Sequence, residues 1–348
     1  MDKQDVRLLK EKVDEAIERI RFGYEQTEGK IYLAFSGGKD STTVAELVKM
    51  AKLERDIPFV FTDTLVEFDA VRDFVFNYDY PNMVYLNPRL PFDDIIEQFG
   101  IPAINKTRAD YLGCYDRNIN NPNLMDIQRM KVLIQGEAIN NKQGLGFRSS
   151  YALAEKHFHF LHPDRVAEYK IDNKCCTYLK IHPLYEFKLF NDIKGYYTGV
   201  RIAEGGARKN SLKDFYIWKK EYKKKELKVS PIYDWSDELR EQFLEYYNVP
   251  VSIAYTKYGM DRTGCVGCPF SRNCGKDLAI SKEFEPDKYD EVLNRFKLVY
   301  IDQGVKLEFD KEYMEEFYER DAINKIRREE MLAKYDSIRF KPWKFWED

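Results

Sequence analysis

Five apolar residues in succession, Ile31-Tyr32-Leu33-Ala34-Phe35, stand after a long polar-rich stretch of chain. A run of that length predicts a buried parallel strand, whose two covered faces need no polar alternation. Past Ser36-Gly37-Gly38, the apolar positions Val44, Ala45, Leu47, Val48 and Ala51 recur at helical spacing, so a helix is expected to start near Lys39 or Asp40. Ahead of the strand, Val6, Leu9, Val13, Ile17 and Ile20 mark an amphipathic packing helix. Residues 57–64 read as a second parallel strand, 67–77 as a helix, 83–87 as a third strand and 196–200 as another. Further helices are expected over 151–161, 237–247 with Ser236 as N-cap, 289–301 and 311–335. From 105 to 146 the pattern dissolves into polar residues, Asn-Pro and glycine, which reads as a long loop. Strands alternating with helices predict an α/β fold, and no internal repeat is evident.

Composition adds bounds. At 348 residues with 44% apolar content the chain is long enough for a substantial core, and it is rich in aromatics (25 Tyr, 23 Phe, 4 Trp). Three stretches are distinguished: residues 1–25 as a packing helix, 26–230 as a nucleotide-binding α/β domain, and 231–348 as a cysteine loop with a helical extension. The net charge of −3 advertises no global field for nucleic acid, although Lys219, Lys220, Lys223, Lys224 and Lys225 make one locally basic run that reads as a solvated face. The first twenty residues carry charges throughout and no 18-residue apolar run exists. The expectation is a cytoplasmic protein with no membrane contact, whose six cysteines are reduced rather than paired.

The candidate chemistry begins at the glycine turn. Strand, glycine pair and helix aim backbone N–H groups and the positive end of a helix dipole at an anion. Ser36, Lys39 and Ser41 add two hydroxyls and an ammonium, so residues 36–41 read as a phosphate or pyrophosphate cradle. The spacing fits neither G-x-x-x-x-G-K-[ST] nor G-x-G-x-x-G. Thr62, Asp63 and Thr64 fall at a strand's C-terminal end, where open α/β sheets bind ligands; they line an adenosine pocket or simply turn the chain. Arg201, Glu204 and Arg208 follow the strand expected at 196–200, and the guanidinium forks suit phosphate oxygens unless they belong to a solvated turn. Cys265-x-x-Cys268 and the tandem Cys175-Cys176 offer four thiolates, enough for a [4Fe–4S] cluster. Structural zinc and reduced bystanders are the competing readings, and Cys274 is an alternative ligand to one of the tandem pair. Cys114, alone in the long loop, is read as a bystander, and His157, His159 and His162 as packing or surface residues.

Two resemblances follow from these residues. Ser-Gly-Gly-Lys-Asp-Ser resembles the PP-loop of the adenine-nucleotide alpha-hydrolase superfamily. The tandem cysteines with Leu179-Lys180 and Pro183, then Arg262-Thr263-Gly264-Cys265-x-x-Cys268, resemble the iron–sulfur branch of the phosphoadenosine phosphosulfate (PAPS) reductase family. Residues 62–68, Thr198-Gly199-Val200-Arg201 and residues 231–236 look like further motifs of that family, in its order. The resemblance implies a twisted, mainly parallel sheet with helices on both faces plus a helical C-terminal extension. It implies binding of ATP or an adenylyl sulfate nucleotide, with Mg²⁺, by Ser36, Gly37, Gly38, Lys39, Asp40, Ser41, Thr62, Asp63, Thr64, Gly199, Arg201, Glu204 and Arg208. Lys39 and Asp40 are the implied catalytic residues, and Cys175, Cys176, Cys265 and Cys268 the implied cluster ligands. The family's assimilatory reductases carry a Glu-Cys-Gly-Leu-His tail, whereas this sequence has no cysteine after Cys274. The expected activity is therefore ATP-dependent sulfur transfer of the thiolation type, with a cysteine desulfurase as sulfur donor and a nucleic acid as acceptor. A sulfonucleotide reductase using another thiol and a non-catalytic nucleotide-binding regulator are the alternatives.

Overall fold

The computed structural model describes residues 2–118, 169–205, 212–221, 224–309 and 319. The expected helices at 151–161 and 311–335, and with them His157, His159 and His162, lie outside the described residues, as does Arg208.

The chain opens with α1 (Lys3–Gln26), whose N-terminus is closed by Asp2, accepting from the N–H groups of Gln4 and Asp5 at 2.8 Å each. There follow β1 (Ile31–Ala34), α2 (Lys39–Met50), β2 (Phe59–Thr62), α3 (Asp69–Phe76), β3 (Met83–Leu86), α4 (Phe92–Phe99) and α5 (Lys106–Asn118). A helical turn at Lys174–Cys176, a π-helical stretch at Thr177–Ile181 and α6 (His182–Phe190) then run on without a break. The π stretch has a local cause. His182 N–H reaches back five residues to Thr177, and Pro183 has no N–H with which to continue an α ladder. β4 (Gly195–Tyr197), β5 (Tyr216–Glu221), β6 (Lys224–Val229), α7 (Asp237–Tyr246), the short α8 (Ile253–Thr256), α9 (Cys274–Phe284) and α10 (Pro286–Gln303) complete the described elements.

The six strands form one sheet in the order β3-β2-β1-β4-β6-β5. All neighbours are parallel except β5 and β6, which form a hairpin. The fold is thus the expected mainly parallel α/β sheet. Alternate residues of β1 face opposite sides. Ile31 and Leu33 join a core built with Leu9, Val13 and Ile20 of α1, Val44 and Val48 of α2, and Phe243 of α7. Tyr32, on the other face, meets Phe187 of α6 with ring centroids 5.6 Å apart. Helices therefore cover both faces, and residues from all three stretches distinguished in the sequence share one core. A second core joins Phe68 and Val71 to Leu278, Val292, Phe296 and Tyr300 of the C-terminal helices.

Three sequence readings change. The expected loop at 105–146 contains α5, started by Asn105, whose side chain accepts from Arg108 N–H at 2.9 Å. Its buried residues Ala109, Leu112, Gly113, Cys114 and Tyr115 include only one large aliphatic side chain, which concealed the helical period. Cys114 is accordingly a buried helix residue, 5% exposed, rather than one in a mobile loop. Glu67, read as helical, instead bridges to Cys265, and α3 begins two residues later. Of the lysine run, Lys219 and Lys220 lie on β5 at the sheet's edge and Lys224 and Lys225 on β6, with Lys219 and Lys225 exposed as a solvated face requires; Lys223 lies outside the described residues. Lysines along an edge strand discourage another chain from pairing there. No helix among the described residues is long and apolar enough to cross a membrane.

Candidate functional site

From β1 the chain winds outward to β2 and β3, then returns to place β4 on β1's other side. The crevice at such a reversal, beyond the strands' C-terminal ends, is where open α/β sheets take ligands. Here that crevice is a polar cavity of about 220 Å³ lined by Ser36, Gly38, Lys39, Asp40 and Ser41 on one side and Thr198, Gly199 and Glu204 on the other. Gly37 turns the chain at φ +66°, a conformation that glycine adopts without steric cost. Gly38 is extended (φ −81°, ψ 153°) and, having no side chain, supplies no N-cap oxygen of its own to the start of α2. The Lys39 N–H instead donates to the Tyr255 hydroxyl at 3.3 Å. Ser36 and Ser41 hydroxyls lie 3.1 Å apart, and Ser41 Oγ donates to the Gly38 carbonyl at 2.9 Å, which holds the turn in shape.

Lys39 extends to Glu241 on α7, its Nζ 3.0 Å from each carboxylate oxygen. Asp40 faces two arginines: its Oδ1 accepts from Arg201 Nε at 2.7 Å and from Arg240 Nη1 at 2.9 Å. Arg201 is 1% exposed and fully engaged, its remaining nitrogens donating to the Trp235 carbonyl (3.1 Å) and Asp237 Oδ1 (2.7 Å). The expected phosphate fork at Arg201 thus ties β4's exit to α2 and α7, and the arginines on the cavity wall are Arg240 and Arg262. Glu204 stands on the wall, but its carboxylate accepts the Arg201 N–H at 3.0 Å. Gly199 permits the tight crossing of this segment over α2: a Cβ there would lie 2.6 Å from the Asp40 carbonyl carbon.

Thr62, Asp63 and Thr64 do not line this cavity. Asp63, 5% exposed, receives Arg72 Nε and Nη2 at 2.8 and 2.9 Å, and the Thr64 hydroxyl donates to Glu67. The sequence reading also missed a third of the wall: Arg240, Tyr255, Asp261, Arg262 and Thr263. For the last three a signal was present, since they immediately precede Cys265 in the singled-out motif.

That loop has a second side. Cys265 and Cys268 line an apolar pocket together with Cys175 and Cys176, among Val66, Phe92, Leu179, Val292 and Phe296. Cys274 is not on its wall; its Sγ donates to the Gly267 carbonyl at 3.3 Å. The loop is pinned to β2's exit by Val266 N–H donating to Val66 O at 2.8 Å. Lys180 lies over the pocket, paired with Glu67 at 3.1 Å. Burial pushes the Cys265 thiol up, and Cys268 up to about 12. Cys176 moves the other way, to about 5, because the Cys175 thiol donates to it and Lys106 and Lys180 favour its thiolate. Among the described residues, no group of three or more His, Cys, Asp or Glu side chains is gathered to hold a single metal ion.

Residues 144–271 match the family model of the phosphoadenosine phosphosulfate reductase domain. The match takes in both cysteine pairs and Thr198–Arg201 and begins beyond the glycine turn at 36–41. It carries the resemblance read from the sequence. An uncharacterised protein of Methanocaldococcus jannaschii is 24% identical over 285 residues, covering 81% of this chain. The chain spans less than half, 45%, of that relative's length. Among solved structures, a phosphoadenylyl-sulfate reductase from Candida auris, described as a phosphate complex, is 12% identical with a TM-score of 0.43, over 76% of this chain and 96% of that one. An FMN adenylyltransferase from Candida glabrata, described as a complex with FMN and an ATP analogue, is 14% identical with a TM-score of 0.40, over 76% and 67%. At those values neither adds to what the sheet order already says.

Proposed function

We propose, from the premise that this chain is of the PAPS reductase type, that it is an iron–sulfur enzyme that binds ATP or an adenylyl sulfate nucleotide and takes part in sulfur transfer. One observation carries the reading: a single loop, residues 261–268, lines the phosphate-sized polar cavity with Asp261, Arg262 and Thr263 and the cysteine pocket with Cys265 and Cys268. Nucleotide chemistry and sulfur chemistry would then be separated along the backbone by a single residue, Gly264.

In the polar cavity the start of α2, Lys39 and Arg240 favour the phosphates. Asp40, held by two arginines, acts here as the anchor of those cations. In the apolar pocket the donor set fits a [4Fe–4S] group: four thiols, each able to take one iron, surrounded by carbon. A cube keeps its thiolates at separate corners rather than drawn round one ion. When bound, such a cluster supplies electron-transfer or sulfide chemistry beside the nucleotide. In the thiolation form of the reaction an acceptor oxygen attacks the α-phosphorus of ATP and pyrophosphate leaves. A sulfur nucleophile then takes the place of the adenylated oxygen, and AMP departs. The sulfur donor is proposed to be a cysteine desulfurase and the acceptor a nucleic acid. The family match itself favours a second reading, sulfonucleotide reduction, in which a thiolate attacks the sulfur of adenylyl sulfate, AMP leaves, and a dithiol reductant then releases sulfite and is oxidised to its disulfide.

Two measurements separate these. Pyrophosphate release from ATP, with and without nucleic acid, supports thiolation; thioredoxin-dependent sulfite release from adenylyl sulfate or its 3′-phosphate supports reduction and overturns the first reading. Anaerobically purified protein is expected to be brown, with about four irons per chain, and Cys265→Ser is expected to lose them. Colourless protein holding one zinc would overturn the cluster. Loss of the colour in Cys274→Ser but not in Cys175→Ser would overturn the ligand assignment.

A further inference from the structure

The lysine of the glycine turn is already satisfied by the protein. Glu241 presents both oxygens to Lys39 Nζ at 3.0 Å, and its Oε1 also accepts from Arg240 Nη2 at 2.6 Å. One carboxylate therefore occupies the two cations that stand on the cavity wall beside the start of α2. Asp40 and Asp237, which share these arginines, are fixed by a buried partner, since Arg201 is 1% exposed. Glu241 differs: its side chain is 47% exposed, on the outer side of α7, so it can leave its partners for water at small cost. Its carboxyl is held below the usual range by Lys39 and Arg240 against the opposing effect of burial, as expected of a charge seated between cations.

We propose that Glu241 is a stand-in for phosphate, which the polyphosphate of an incoming nucleotide displaces from Lys39 and Arg240. The proposal rests on the nucleotide reading of the cavity and adds a determinant of affinity to it. Glu241 acts through Lys39 and Arg240 and touches no reacting atom; it is a positioning residue. While it is in place, Lys39 is held at the mouth and repulsion disfavours weakly charged ligands. A di- or triphosphate supplies more negative charge than the carboxylate it replaces, so exchange is favourable for it.

The test is binding of ATP, inorganic pyrophosphate and adenosine to the full chain by calorimetry, for the parent, Glu241→Gln, Lys39→Met and the double variant. Glutamine keeps the shape and removes the charge. Glu241→Gln is expected to tighten ATP and pyrophosphate by about two- to fivefold, the scale of a half-exposed ion pair. The gain is expected to shrink in about 0.5 M salt, because such pairs are screened. Adenosine binding is expected to be unchanged, and in the Lys39→Met background the Glu241→Gln gain is expected to shrink to the part owed to Arg240. A parent that binds ATP and pyrophosphate while Glu241→Gln leaves or weakens that binding overturns the exchange and spares the nucleotide reading. A gain that is undiminished without Lys39 also overturns it. A folded parent that binds neither ligand overturns both.

Discussion

Gly37 and Gly38 are neighbours, yet the structure needs each for a different reason, and alanine at each separates stability from ligand binding. At Gly37 (φ +66°) an alanine adopts a left-handed conformation costing about 1–2 kcal/mol. Its Cβ would also lie 2.7 Å from Val75 Cγ2 and 3.3 Å from Val71 Cγ1, both on α3 and both fully buried. Overpacking of that kind costs about 1–3 kcal/mol. Gly37→Ala is therefore expected to lose about 2–5 kcal/mol. At Gly38 φ is −81°, so no backbone strain arises. A Cβ there meets Thr263 Oγ1 at 3.0 Å and Tyr255 Oη at 3.3 Å, side chains of the cavity wall that can give slightly. Gly38→Ala is expected to stay within about 1 kcal/mol of the parent, its methyl restricting the unfolded chain but standing where a phosphate would approach. Urea unfolding followed by tryptophan fluorescence reads stability as a midpoint shift at constant slope. Calorimetry with ATP and pyrophosphate reads binding, with an expected loss of about tenfold or more for Gly38→Ala, roughly 1.4 kcal/mol. Val75→Ala opens space for the Gly37 methyl, so the pair is expected to cost less than the sum of the singles by about 1–3 kcal/mol. Equal destabilisation at the two glycines, or strict additivity with Val75→Ala, would refute the reasoning.

Glu285 caps α3 by accepting from the N–H groups of Asp69 (2.8 Å) and Ala70 (2.9 Å), so Glu285→Ala is expected to lower stability by about 1–2 kcal/mol and Glu285→Gln by less, both read from the urea midpoint. Lys276, 3% exposed, holds Asp261 at 2.6 Å behind the cavity loop; Lys276→Met is expected to change stability by about 1 kcal/mol or less while weakening ATP several-fold, and unchanged ATP affinity would contradict that placement. Burial lifts the Asp277 carboxyl to about 7. The folded state therefore binds this proton more tightly than the unfolded one, and stability falls as pH rises from about 4 through 7. Asp277→Asn is expected to flatten that fall and to gain stability above pH 7, measured as urea midpoints across the pH series.

How far the sequence could be read follows from where each residue's partners lie. β1, its glycine turn and α2 were legible because their determinants are consecutive: an apolar run, two glycines and a helical period. The cysteine pairs were legible by spacing, and the structure lines one pocket with all four. Arg240, Glu241 and Tyr255 were not. They arrive from about 200 residues away on α7 and α8, and locally they look like surface residues of amphipathic helices. Arg201 misled because a guanidinium after a strand fits phosphate as well as it fits carboxylates, and only the positions of Asp40 and Asp237 decide between them. α5 was missed because its buried residues, Ala109, Leu112, Gly113, Cys114 and Tyr115, include only one large aliphatic side chain.

The placement of β4 beside β1 bears on how the protein is made. Ile31 pairs with Gly195, a partner 164 residues further along the chain. At about 5–20 residues per second, a ribosome takes on the order of ten to thirty seconds to supply it. β2 and β3 emerge early and cover only one flank of β1. Through that interval the Ile31–Ala34 strand, apolar on both faces, keeps an unpaired edge of the kind that pairs with other chains. The polar crevice cannot close until β4 docks, so its first half, the glycine turn and α2, waits open for its second.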